Sequence, residues 1–546
     1  MAGHCLVLWA SANSEIDLAS NHRNPSSTRR PRCRKPFCMS APRLLIDTNV
    51  FICLEDHAEV APHFASLQQL AGRHGVEIFV HEAAIDDIRR DKDEARRRVS
   101  LSKIHKFPVV KKMAGIDQAV LEAKYGRIRR PNDLVDATLL HALEIGVADF
   151  LVTEDQGLHE RAQRISSTFG ARVLYVADAV SFLLTTYEAV AVVFPAVEEV
   201  EANTISQDDP IFVTLRRNYP PFDDWWREKC VKPMRKCWVV MDEGRIAGLV
   251  VRKDEKPADT DATLPGKKIL KICTFKVRAE SRGVKLGELL LKQVLWYAQS
   301  NSHDVVYITT FSGQETLIAL LDYYGFRHTY DKSNGERVYE KAISRGRLMP
   351  VPGISLFDLA RENYPRFATG DGVAAYAIPI QEEFHEILFP ELMSRTQLSL
   401  FGDTGFLRPG NTIRKVYLCR APANISQPGA LLLFYKGKSE IQPSQAITTV
   451  GVFEEMKLAH STEELRQLAG GRSVYSDTQL RHMAATASNP VKVINFLLAG
   501  HLEPPMSLAA LTSSGVFAAR PPQSIKSLLP AQQMSVLRQG AFGFTV

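Results

Sequence analysis

The sequence predicts an α/β multidomain chain, and three observations lead there. Its 546 residues are too many for one hydrophobic core and suggest three or four domains. From Leu44 to about Val200, the short apolar runs LLID, EIFV, DFLVT and RVLYV alternate with helical stretches. That rhythm belongs to a parallel sheet with helices on both faces. Beyond Asp208 it gives way to a hairpin-led α+β pattern, and beyond Ile378 to a β-rich block.

A 45% hydrophobic and 23% charged composition is that of globular domains. No apolar run approaches the roughly 20 residues of a bilayer span, so no membrane association is expected. The net charge of +6 permits a polyanionic partner without requiring one. Residues 1–42 hold Arg23, Arg29, Arg30, Arg32, Arg34 and Lys35 in a Ser/Pro/Asn-rich setting without a signal-peptide layout. They read as a disordered basic arm or as sequence ahead of a true start at Met39. The 8 cysteines show no paired C-x-x-C spacing, which argues against a zinc site or a disulfide framework and fits reduced thiols in a cytoplasm.

In the first block (43–200), Asp47 ends LLID, the position where a parallel strand delivers a side chain to the ligand crevice. EIFV leads into His81-Glu82-Ala83-Ala84-Ile85-Asp86-Asp87-Ile88, and Asn132-Asp133-Leu134-Val135-Asp136 opens a helix. Val135, Leu139 and Ala142 give that helix its core face, and Asp133 and Asp136 share another. Asp155 lies just past a strand in LVTEDQGL. Taken singly, each acid is also explained by a helix dipole that favours carboxylates in a first turn.

In the second block (208–342), Cys237–Met241 and Ile246–Val251 flank Asp242-Glu243-Gly244-Arg245, a hairpin signature. A strand at Ile269–Val277 runs into Arg282-Gly283-Val284-Lys285-Leu286-Gly287 and then a helix around Leu289–Ala298. Another strand, Val305–Phe311, precedes a helix that ends at Gly325. Backbone N–H groups at the strand-to-helix junction suit a pyrophosphate, and glycines allow its close approach. Residues 343–377, with a Pro/Gly/Arg-rich start, read as a linker. In the third block (378–546), Lys415–Cys419, Leu431–Tyr435 and Thr448–Phe453 read as strands, and Ser461–Ala469 and Asn489–Ala499 as helices.

As an ordered set over Arg43–Leu184, LLIDTNVF, VHEAAIDDI, NDLVDATLLHAL and LVTED resemble the PIN domain. The resemblance implies a metal-dependent ribonuclease with Asp47, Asp87, Asp136 and Asp155 as its catalytic acids. Mg²⁺ or Mn²⁺ would be held by these and Asp133, since hard cations take oxygen ligands. The second position stays open between Asp87 and Glu82, and the third between Asp133 and Asp136. Arg127, Arg129 and Arg130 read equally as RNA backbone contacts or as a solvated loop.

Residues Asp208–Ala342 resemble the GNAT acetyltransferases. Arg282, Gly283, Val284, Lys285, Leu286 and Gly287 match the acetyl-CoA loop, and Gly325-Phe326 the closing motif. Two positions depart from the family: Lys285 replaces the loop's middle glycine, and Leu321 stands where a tyrosine general acid is common. Tyr323 and Tyr324 lie close by, and no general base stands out on Ile269–Val277. The third block resembles ASCH/PUA-like RNA-binding barrels, which implies RNA contacts for Arg414, Lys415, Lys436 and Lys438 and base stacking for Tyr435. The combination points to RNA, with tRNA among the candidates, in a toxin–antitoxin-like setting. The GNAT resemblance implies acetyl-CoA as a second cofactor, and a homo-oligomer is allowed. The alternatives are acetyl transfer as the sole activity or a non-catalytic regulator that binds RNA and CoA.

Overall fold

The computed structural model describes residues 41–546, apart from 56–61, 112–116, 189–196, 220, 243, 279–284, 393–411, 440–441, 471–474 and 519. Residues 1–40, most of the predicted basic arm, lie outside the described residues.

The first unit follows the alternation in its sequence. Strands β1 (Arg43–Ile46), β2 (Glu77–His81), β3 (Val109–Val110), β4 (Phe150–Val152) and β5 (Val173–Leu174) pair in parallel in the order β3-β2-β1-β4-β5. The helices of this unit are α1 (Thr48–Glu55), α2 (Pro62–His74), α3 (Glu82–Arg89), α4 (Glu94–Lys103), α5 (Gln118–Tyr125), α6 (Pro131–Glu144), α7 (Gln156–Ile165), α8 (Ser167–Gly170) and α9 (Val176–Tyr187). Because strand side chains alternate, Leu44 and Ile46 enter one core with Phe51, Leu67 and Leu183. Leu45 enters another with Leu121, Leu139 and Leu158. Helices therefore cover both faces, and every β1 residue but Arg43 is buried.

The second unit is a seven-stranded mixed sheet. Its elements are β6 (Glu198–Glu201), α10 (Val213–Asn218), α11 (Phe222–Trp226), β7 (Lys236–Asp242), β8 (Arg245–Glu255), β9 (Ile269–Val277), α12 (Leu286–Ser300), β10 (Val305–Thr310), α13 (Glu315–Tyr323), β11 (Arg327–Asp331) and β12 (Arg337–Ala342). The order is β11-β12-β10-β9-β8-β7-β6, antiparallel throughout except for β9–β10. β6 pairs with β7, so the sheet begins ahead of the boundary expected near Asp208.

The third unit holds α14 (Leu356–Glu362), β13 (Ala375–Ile380), α15 (Glu382–Leu388), β14 (Arg414–Cys419), β15 (Leu431–Lys436), β16 (Ala446–Ala459), β17 (Val491–Ser507) and β18 (Lys526–Leu528). They form one sheet in the order β14-β17-β16-β15-β13-β18. Three expectations are corrected here. Among the described residues no pairing joins β14 to β18, so the sheet is open rather than a closed barrel. The helix expected at Asn489–Ala499 is the start of β17: Val493, Ile494, Phe496, Leu497 and Leu498 are buried on both sides of a central strand. Such an unbroken apolar run does not tell a buried strand from a buried helix.

The linker expected at 343–377 is packed structure. Phe357, Ala360, Tyr364 and Phe367 sit in a core shared by the second and third sheets. Gly325 shows how close that packing is. Its φ is +82°, and a Cβ there would stand 2.0 Å from the Glu362 carbonyl oxygen, so only glycine fits. Lys341 is buried against the same helix end, its ammonium donating to the Tyr324 carbonyl at 2.7 Å and to that of Glu362.

A second tie is ionic. Glu391 pairs with Lys292 of α12 and lies 3.6 Å from Lys415 of β14, and both lysines are buried. Burial opposes the Glu391 charge, but Lys292 and Lys415 outweigh it and hold the carboxyl down at about 2. Glu391→Ala would strand two buried ammonium groups, and we expect a loss of about 3–5 kcal/mol, read from urea unfolding of the full chain. Unfolding within about 1 kcal/mol of wild type would show that the joint does not rest on this triad.

Candidate functional site

The carboxyl ends of β1 and β4 are joined by a polar knot. Asp47, 6% exposed, receives the Thr48 N–H at 2.6 Å, the Asn49 side-chain N–H at 2.6 Å and the Thr153 hydroxyl at 2.7 Å. The Thr153 oxygen accepts in turn from Asn49 at 3.1 Å and from the Asp155 N–H at 3.0 Å. Asp155 caps α7 by accepting the Leu158 N–H at 2.9 Å. Asn49 and Thr153 lie inside the motifs quoted above, yet nothing in their spacing gave them a role.

The structure brings Asp47, Asp136 and Asp155 within electrostatic reach of one another, and the charge of Asp87 reaches Asp47. Burial raises the Asp47 carboxyl from 3.8 to about 6 against the hydrogen bonds from Thr153 and Thr48, and the charges of Asp155 and Asp87 add to it. Asp136 rises to about 7 through burial and then the charges of Asp155 and Asp47, despite Arg161. Both acids of that segment are ion-paired, Asp86 with Arg89 at 3.3 Å and Asp87 with Arg90 at 3.0 Å, and of the two it is the charge of Asp87 that reaches Asp47.

Asp133 is committed elsewhere. It accepts the Arg129 and Arg130 N–H groups, each at 2.9 Å, and pairs with Arg161 at 2.9 Å. Burial opposes its charge, but these partners hold its carboxyl low. It shapes the loop ahead of α6, and Asp136, one turn on, faces the cluster. Among the described residues no three His, Cys, Asp or Glu side chains are placed to hold one metal ion together. The predicted metal set is an electrostatic cluster rather than a preformed coordination shell.

In the second unit, β9 and β10 run in register from Ile269↔Val305 to Ile272↔Ile308 and then part. β9 continues to Val277 against β8 alone. The wedge opens at the carboxyl ends of two parallel strands beside the start of α12, where ligands of such sheets bind. Phe275, Val277, Leu317, Ile318 and Leu320 remain partly exposed around the shared core. Of the loop residues singled out in the sequence, Arg282, Gly283 and Val284 lie outside the described residues. Lys285 caps α12 with a φ of +60°, Leu286 is buried and Gly287 opens the first turn. Lys285 thus adopts the backbone conformation that glycine takes without strain.

The two tyrosines near the missing general acid are engaged in packing. Tyr324 is buried and donates its hydroxyl to Glu288 at 2.8 Å, and the Tyr323 ring lies under Arg361 and Arg414. Helix α7 lies against α13: Thr316 donates to the Gln156 side-chain oxygen at 2.6 Å. His159, one turn along α7, stacks on Tyr175 and donates to the Thr153 carbonyl at 3.0 Å. Burial pushes this imidazole down to about 4, and the charge of Lys285 acts in the same direction.

The RNA contacts expected in the third unit are corrected. Arg414, Lys415, Lys436 and Tyr435 are all buried, the first paired with Glu454 and Lys436 with Glu386 at 3.3 Å. Only Lys438 of that group is exposed. Alternating strand positions that look solvent-facing in sequence are turned inward by neighbouring helices.

Residues 201–326 match the Acetyltransferase (GNAT) family, so the second unit carries a GNAT domain. Among solved structures, an IAA acetyltransferase from Bacillus cereus is 14% identical, over 27% of this chain and 98% of its own, with a TM-score of 0.21. A GNAT-family acetyltransferase from Staphylococcus aureus is 13% identical over 27% and 100%, with a TM-score of 0.21. One from Elizabethkingia anophelis with acetyl-CoA bound is 15% identical over 27% and 97%, with a TM-score of 0.20. No curated protein matches the chain. Among the described residues, no helix is long and apolar enough to cross a membrane.

The acidic cluster has a pH signature. Asp47 takes up protons more readily folded than unfolded, so its contribution to stability is fully present below about 3.8 and is lost as pH rises through about 6. At about 1.4 kcal/mol per pH unit between those values, the loss is about 3 kcal/mol. In chelator-treated protein, Asp47→Asn should therefore gain about that much relative to wild type between about pH 4 and about pH 8, by urea unfolding followed with circular dichroism. A difference that does not change with pH would mean that burial does not hold the Asp47 carboxyl above its ordinary range.

Proposed function

We propose that the chain is an acetyl-CoA-dependent N-acyltransferase. The observation that carries this reading is the parting of β9 from β10 beside the start of α12, within the segment that matches the family. The wedge suits the pantetheine arm laid between two strands, where free strand edges offer hydrogen bonds. Backbone N–H groups at the α12 junction, with Arg282, Gly283, Val284, Lys285, Leu286 and Gly287, suit the pyrophosphate. An acceptor amine attacks the thioester carbonyl, the C–S bond breaks and the thiolate leaves with a proton. With Leu321 buried where a tyrosine is common, this chain's own residues contribute positioning above all. Acetyl-CoA should bind the full chain with one-to-one stoichiometry by calorimetry, and Gly283→Val should weaken it by about tenfold or more, by crowding the phosphates. Wild-type protein that takes up no acetyl-CoA would overturn the assignment.

A second activity is favoured by a separate observation, the convergence of Asp47, Asp136 and Asp155, with the charge of Asp87 reaching Asp47. We infer that the first unit is a PIN-like, metal-dependent ribonuclease. Its all-oxygen donors fit Mg²⁺ or Mn²⁺, and a cation would offset the burial, and the lesser mutual repulsion, that raise Asp47 and Asp136. Asp47, Asp136 and Asp155, with Asp87 at the edge, would hold it, and the ion would supply an activated water and neutralise phosphate charge. Asn49 and Thr153 fix the Asp47 carboxylate, and α7 fixes Asp155. Asp47→Asn should reduce Mn²⁺-dependent RNA cleavage by about a hundredfold or more while the protein remains folded. Wild-type protein inert toward tRNA and single-stranded RNA with either ion would sink this reading.

A further inference from the structure

Beside the acidic cluster lies a cleft of about 660 Å³ whose charged lining is Arg127, Arg129, Arg130, Arg161 and Arg164 against Asp133 and Glu160. Five guanidinium groups face two carboxylates. Both carboxylates are already matched, Asp133 by Arg161 at 2.9 Å and Glu160 by Arg164 at 3.4 Å. Arg130 stands 3.7 Å from Asp133 and is 81% exposed. Among the described residues, no carboxylate pairs with Arg127 or Arg129. The cleft therefore keeps an excess of about three positive charges in a concave space sized for a nucleotide or two.

Its walls are held in place. Arg161, 15% exposed, donates to the carbonyls of Tyr125 at 3.3 Å and Arg127 at 3.2 Å as well as to Asp133. The loop 126–130 is thereby fixed to α7. Asp133 fixes the same loop from the other side through the Arg129 and Arg130 N–H groups. Among the described residues no aromatic ring lines the cleft, so these walls offer no platform for a base. A guanidinium presents a planar fork that matches phosphate oxygens in pairs.

We propose that this cleft holds successive phosphates of a single-stranded RNA on one side of the bond that reaches the acidic cluster. The two sites adjoin in sequence and space. Asp133 lies one helical turn before Asp136, and Gly157 lies two residues after Asp155. Recognition here is of backbone charge and not of base identity. The proposal rests on the nuclease reading for the strand's direction, but not for the cleft's affinity.

The test is fluorescence anisotropy with labelled oligouridylate and oligoadenylate of about a dozen nucleotides, on the full chain in chelator, where no cleavage occurs. Wild type should bind both within about threefold of each other, and Arg127→Ala/Arg129→Ala should weaken both by about tenfold or more. The slope of log affinity against log salt should fall in magnitude by about 1.4, the share of two phosphate contacts on a single strand. Both arginines are exposed and hold no carboxylate, so the variant should melt with wild type. Unchanged affinity and slope in the variant, a preference for one base, or equal binding of polyglutamate would each overturn the proposal. Binding that the variant loses, in a protein that cleaves nothing, would remove the nuclease and leave the cleft. Cleavage with unchanged binding would do the reverse.

Discussion

Parallel strands end side by side, and their last residues open onto a space that no further strand fills. Both candidate centres of this chain are built on that constraint. In the first sheet β1 and β4 stop together, and the residues just past them, Asp47, Thr153 and Asp155, must share one small volume. In the second sheet β9 and β10 are the parallel pair, and their separation past Ile272 and Ile308 leaves an opening at the same end. In each case a helix begins where the strands stop, so backbone N–H groups face the opening. The antiparallel third sheet has one parallel neighbour pair, β13 and β15, and its Arg414 and Lys436 are taken up in internal ion pairs.

The first unit was the most legible in sequence, because its strands alternate with helices and its acids fall at strand ends. LLID gives both the burial of β1 and the position of Asp47. What spacing could not decide was which of two neighbouring acids faces the Asp47 cluster. Asp133 is taken up by the 129–130 backbone and Arg161, contacts that depend on the folded loop, and it is Asp136 that feels Asp47 and Asp155. The glycine at 325 was read as a motif, and its cause, the Glu362 carbonyl, lies in a segment that looked like a linker. The third unit was least legible. β17 buries both of its faces, so it lacks the alternation that marks a strand, and Lys415 and Lys436 look solvent-facing until their acidic partners are in place.

The second and third units share one apolar core, and charges cross it. Glu288 accepts from the Tyr324 hydroxyl and from the Arg414 N–H at 2.9 Å, joining α12 to α13 and β14. Glu391 joins α12 to β14 again. Buried ion pairs of this kind add little net stability over apolar packing but are severe when half broken. Their effect is to fix the register of one sheet on the other and to hold α12, whose first turn borders the wedge, in a single orientation.

Helix α7 meets a succession of different neighbours along its cap and first two turns. Asp155 at its head belongs to the acidic cluster, Gln156 bonds to Thr316 of the second unit, Gly157 and Arg161 line the arginine cleft, and His159 lies under the influence of Lys285. Ten residues of rigid helix leave no room to adjust one of these without disturbing the others. A truncation between Leu174 and Glu198 would therefore bare a face of α13 as surely as it released the aspartates. The units are separable on paper, along the chain, and are not separable in the solid.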